Sequence, residues 1–179
     1  MHLVANYHST TANQLNSPLL SLPAELRNDI YKLVFTTNTI LVTGASTRFL
    51  SPRTNDSTWA AALLLTCRQI NDEATALFWQ LSTFDLRQCH YPDELRAMVG
   101  SDKCAMVGTI AMSGNLASAI AGWVQAGRVN HRALFSGGLT ALDKVCVEGP
   151  LSWDLEGDEV SWCVRVCFDK KGLEVTFEI

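Results

Sequence analysis

The sequence predicts a mixed α/β (α+β) fold: an N-terminal helix pair with short strands, then a small βαβ leucine-rich-repeat-like stack, closed by a C-terminal antiparallel hairpin. Three observations carry this. The stretches "LPAELRNDIYKLVF" and "AALLLTCRQINDEATALFW" repeat apolar residues with the period of amphipathic helices. Between residues 105 and 149 an apolar run, a helical pattern and a second apolar run succeed one another. Residues 160–179 alternate apolar and polar around a Gly-containing turn.

Taken in order, residues 1–18 read as a polar, flexible leader and residues 19–179 as a single domain, of which 19–86 is the helical part and 87–179 the stack and hairpin. The first helix starts near Pro23, where a missing N–H costs nothing, with Glu25 toward its positive end and Lys32 toward its negative end. Leu26, Ile30, Leu33 and Val34 form its apolar stripe, expected to face the core. A short strand follows around Ile40–Val42, then a Ser/Thr/Gly/Pro-rich surface loop over residues 44–58, whose Asn55, Asp56 and Ser57 are candidate N-caps. The second helix is expected to run unbroken from Trp59 to Trp79, with Leu63, Cys67, Ile70, Ala74, Leu77 and Leu81 in one stripe. Arg68 and Asp72, four apart on its other side, are placed to pair. "STFDL" reads as a strand, and "YPDELRAMVG" as a short helix with Pro92 near its start and Gly100 at its end.

In the second half, "AMVGTIAMSG" (105–114) and "LTALDKVCVEG" (139–149) read as strands flanking the helix "NLASAIAGWVQAG", with Asn115 as its cap. Strand, helix and strand at this spacing imply a parallel unit with a right-handed crossover. At the C-terminus, Val160, Trp162, Val164, Val166 and Phe168 alternate, as do Leu173, Val175, Phe177 and Ile179. Asp169 to Gly172 makes the hairpin turn between them, with Gly172 at positive φ and Arg165 diagonal to Glu174 and Glu178.

Composition narrows the function. A net charge of −4 and the absence of a basic cluster argue against a nucleic-acid partner. The longest apolar run, "WAAALLL", is far too short to cross a membrane, and the N-terminal residues lack the pattern of a signal peptide. Six cysteines without a C-x-x-C pair read as reduced thiols of an intracellular protein, in cytoplasm or nucleus. The sequon at Asn55 matters only for a secreted chain.

The residues show no catalytic motif, cofactor fingerprint or metal-ligand set. Cys89 and His90 are adjacent and close to Asp93, but a zinc site needs a second ligand pair. A boundary turn is the plainer reading, and a small enzyme with a site near Cys89 and His90 is the alternative. "SGGLTALDK" lacks the ending of a phosphate loop, and "DLEGDE" lacks EF-hand spacing and reads as a solvated loop.

One resemblance adds to this. Leu22, Pro23, Glu25, Leu26, Arg27, Ile30 and Tyr31, then Leu64, Thr66, Cys67, Arg68, Gln69, Ile70, Glu73 and Ala74, then Ser82, Thr83 and Phe84 occur in order over residues 19–86. This pattern resembles a large group of uncharacterised fungal proteins with an F-box-like N-terminal region. The chain differs from an F-box in the long polar stretch between the helices and in Ile70-Asn71, where a tryptophan is usual. The resemblance implies a non-enzymatic protein-interaction module without a cofactor, docking on a Skp-type adaptor as substrate receptor of a ubiquitin ligase. Leu22, Pro23, Leu26 and Tyr31, which lead the motif, are the docking candidates. A secreted, host-directed protein is a further alternative. Read without the resemblance, the same stripes are the core of two packed helices, and Arg27 is a solvated or locally paired cation.

Overall fold

The computed structural model describes residues 16–42, 58–89, 94–127, 138–151 and 155–178. The expected leader, the 44–58 loop with its N-caps, His90 and Pro92 lie wholly or largely outside them. In chain order the elements are α1 (Ala24–Thr36), β1 (Thr39–Leu41), α2 (Thr58–Leu63), α3 (Arg68–Leu81), β2 (Thr83–Asp85), α4 (Glu94–Val99) and α5 (Ser101–Cys104). Then come β3 (Thr109–Ser113), α6 (Gly114–Gln125), β4 (Lys144–Glu148), α7 (Gly157–Cys167) and β5 (Glu174–Glu178).

The five strands form one sheet in the order β1-β2-β3-β4-β5, and every neighbouring pair is parallel. In a parallel sheet of this sequential order, the usual right-handed crossover places every intervening helix on one face. Register explains why the sheet holds. Ile40, Phe84, Ile110, Val145 and Val175 lie in one row across all five strands, and Met112, Val147 and Phe177 in another. All but Val175 and Phe177 are buried, and those two are half-buried. The alternate positions form the other face: Thr39, Thr83, Thr109, Lys144 and Glu174 in one row, Leu41, Asp85, Ala111, Cys146 and Thr176 in the next. A period of two sorts the two faces.

In the helix layer α1 packs on α3 and α6 on α7. Phe35, Phe78, Trp79 and Phe84 join the first pair to the sheet. Phe35 meets Phe78 edge-on at 5.4 Å, and Trp79 stacks on Phe84 at 5.1 Å. The expected parallel unit is present as β3–α6–β4. Its helix is capped by Ser113, whose side chain accepts from the Leu116 N–H, and not by Asn115.

Three expectations are corrected. The C-terminal hairpin does not form: residues 157–167 are the helix α7, and β5 pairs parallel to β4. The buried residues of α7 include Val160, Cys163, Val164 and Cys167, at helical spacing, while Trp162 is 57% exposed. β-Branched and aromatic residues imitate an alternating strand here, but packing against α6 selects the helical period. Asp169, not Gly172, takes the left-handed backbone (φ 53°), and Arg165 donates to the Leu173 carbonyl instead of facing Glu174 and Glu178. The second helix is broken: a turn at residues 64–66 separates α2 from α3, and Cys67 is extended at the α3 N-cap (φ −158°, ψ 162°). Finally, "DLEGDE" is not a free loop, because Gly157, Asp158 and Glu159 form the first turn of α7, where acidic groups favour the helix dipole.

Candidate protein-interaction face

α1 presents two apolar-rich stripes, and the structure buries the one that carries the polar groups. Arg27, Tyr31 and Phe35, at i, i+4 and i+8, face inward. Leu26, Ile30 and Leu33 sit about 100° around the helix. They are 51%, 38% and 74% exposed, contrary to the expected core stripe, with Val34 half-buried.

The inward turn has a physical cause in α3. Glu73 accepts from Arg27 Nε at 2.9 Å and Nη2 at 2.6 Å, a bidentate pair between the two helices. Gln69 donates to the same carboxylate at 2.9 Å, and the Tyr31 hydroxyl donates at 3.3 Å. Arg27 Nη1 also donates to the Leu22 carbonyl at 2.5 Å, which ties the entry segment to the helix pair. Arg27 is therefore neither solvated nor locally paired. Hydrogen bonding from Arg27 holds the Glu73 carboxyl below the usual range, and the same bond raises Arg27. Burial, reinforced by Glu73, pushes Tyr31 up to about 12.

The four docking candidates separate accordingly. Pro23 and Leu26 are exposed, Leu22 is half-buried, and Tyr31 is fully buried. Tyr31 belongs to the tie between helices and is not available to a partner. Arg68 and Asp72 are both exposed, with no ion pair between them. Leu65, in the turn between α2 and α3, is 84% exposed.

A second polar cluster escaped the sequence reading. Just beyond β2, Arg87 pairs with Asp85 (Nη2 to Oδ2, 2.5 Å) and with Glu148 on β4. β3 lies between them and contributes Ala111 and Ser113 to that face, so small side chains leave room for the guanidinium to cross. Hydrogen bonds donated to the Asp85 carboxylate raise Arg87 further. With both partners in place the cation ties β2 to β4 across β3. The only hint in the sequence is an aspartate and an arginine two apart at a strand end.

The remaining chemistry is sparse. Cys89 is buried, its thiol donates to the Val42 carbonyl at 3.4 Å, and burial pushes it up to about 12, so it is a poor nucleophile. Among the described residues no His/Cys/Asp/Glu cluster has the makings of a metal site, and no helix is long and apolar enough to cross a membrane. An open cleft of about 280 Å³ lies between residues 16–20 and the α2–α3 turn, lined by Leu20, Cys67 and Ile70, and falls short of an ordinary ligand pocket. Comparison with protein-family models, curated proteins and solved structures finds no match to this chain.

Proposed function

We propose that this chain is a protein-interaction module that docks through the outer face of α1, and that its partner is the Skp-type adaptor expected for an F-box-like protein. The observation that supports the reading is the exposed stripe of Leu26, Ile30 and Leu33, beside exposed Pro23. Exposed apolar side chains grouped on one helix face suit a partner surface. The internal tie from Arg27 and Tyr31 to Glu73 supports it too, since it holds α1 in the rotation that keeps this stripe outward. We read the sequential parallel sheet as a short leucine-rich-repeat-like stack carrying the helix pair at one end. Six free cysteines suit a reducing, intracellular compartment.

The test is capture of a purified Skp-type adaptor by the full chain, compared with a Leu26→Asp/Leu33→Asp variant. Both side chains are solvent-facing, so the thermal midpoint should stay within a few degrees while capture falls at least about tenfold. Absence of capture by the wild-type chain overturns the reading, as does equal capture by the variant.

A further inference from the structure

The sheet ends at β5, and its outer edge is open among the described residues. The Glu174 N–H donates to the Asp143 carbonyl, and the Glu178 carbonyl accepts from the Gly149 N–H. Glu174 and Glu178 therefore turn their backbone groups toward β4. By strand alternation Thr176 does the same, while Val175 and Phe177 turn theirs outward. Each of those two residues offers an N–H and a C=O to a further strand.

The side chains state what kind of strand fits. Val175 and Phe177 are half-buried on the helix-facing side, where an adjoining strand would extend their apolar rows. Glu174 and Glu178 are exposed on the opposite side, at the two ends of the edge. Glu148, in register with Glu178, adds a third carboxylate, and Arg87 already pairs with it. Lys144 reaches Glu174 at 3.3 Å across the surface, and Glu178 has no cation on its own strand but adds to the field of carboxylates around Arg87. A second copy of this strand is a poor occupant. Antiparallel pairing about Thr176 sets Glu174 against Glu178, and parallel in-register pairing sets each glutamate against itself; both are unfavourable.

We propose that the β5 edge binds an extended segment of another protein that carries Lys or Arg opposite Glu174 and Glu178 and apolar residues opposite Val175 and Phe177. Backbone pairing supplies the attachment, and the two glutamates select a basic strand over an acidic one and over self-pairing. This surface is separate from the α1 face and does not depend on it.

The test uses a synthetic peptide containing lysine, valine, threonine, valine and lysine in that order, added to the isotope-labelled full chain. Hydrogen exchange at the Val175 and Phe177 amides should slow on binding, and chemical-shift changes should centre on residues 174–178. A Glu174→Lys/Glu178→Lys variant should bind this peptide about tenfold more weakly. It should recover binding to a peptide with glutamate in place of both lysines, which also shows that the variant is folded. Raising the salt concentration should weaken the wild-type complex. The proposal is overturned if the lysine peptide does not bind, if the wild-type chain binds both peptides equally, if the Val175 and Phe177 amides are unaffected, or if the chain dimerises through β5.

Discussion

Glu73 accepts hydrogen bonds from Arg27, Gln69 and Tyr31, and a change at this one residue tests why the motif residues are there. Replacing it with alanine strands a nearly buried guanidinium, which costs about 3 kcal/mol when a buried pair loses one partner. Urea denaturation of Glu73→Ala should show that loss, and Arg27→Met combined with Glu73→Leu should recover most of it. The pH dependence follows from the same group. The Glu73 carboxyl lies below its ordinary value of 4.5, chiefly through Arg27, so the unfolded chain takes up the proton first on acidification. Its contribution is full above pH 4.5 and is lost as pH falls through the folded value. Tyr31 acts at the other limit: raised from 10.0 to about 12, it contributes fully below pH 10.0 and loses that contribution as pH rises toward 12. Thermal midpoints against pH should show a flatter acid limb in Glu73→Gln and a flatter alkaline limb in Tyr31→Phe.

At the scale of elements, α7 discriminates most sharply between a pattern of two and a pattern of three to four. In a strand Trp162 and Val164 share a face; in the helix Val164 is fully buried and Trp162 is 57% exposed. Val164→Ala should therefore cost about 2 kcal/mol, as expected for a buried valine. Trp162→Thr should stay within about 0.5 kcal/mol, as for an exposed position. Equal losses from both would return the segment to a strand. α1 carries the same lesson in another form. Its two stripes differ by a single residue of phase, so periodicity identifies the helix without saying which stripe is inside. Arg27 and Tyr31 decide that, because their partner Glu73 comes from a helix more than forty residues later.

For the molecule as a whole, the thiols report packing. Cys89, Cys104, Cys163 and Cys167 are buried, and burial raises all four. Cys67 and Cys146 are half-buried. Titration of the native chain with a thiol reagent should label Cys67 and Cys146 first, and the other four only on unfolding. Mass spectrometry of the unfolded, unreduced chain should then find six alkylatable cysteines, since all are free. A mass deficit corresponding to a paired disulfide would contradict this.

Local pattern determined much of the chain without help. The positions of α1, β1, β2, β3, α6 and β4, and the parallel β3–α6–β4 unit, follow from short-range periodicity and Gly or Pro punctuation. Those signals act within a few residues and survive in any context. The sequence also placed Arg27, Tyr31, Gln69 and Glu73 in one recognisable pattern. It did not disclose that they meet, because a bidentate pair between helices depends on how the helices dock. Only the tertiary structure decided that α7 is a helix, that β5 runs parallel to β4, and that Leu26, Ile30 and Leu33 face outward. In each case local preference was nearly balanced, between strand and helix or between two stripes of one helix. The balance was tipped by burial against residues far along the chain: α6 beneath α7, β4 beside β5, and Glu73 beneath α1.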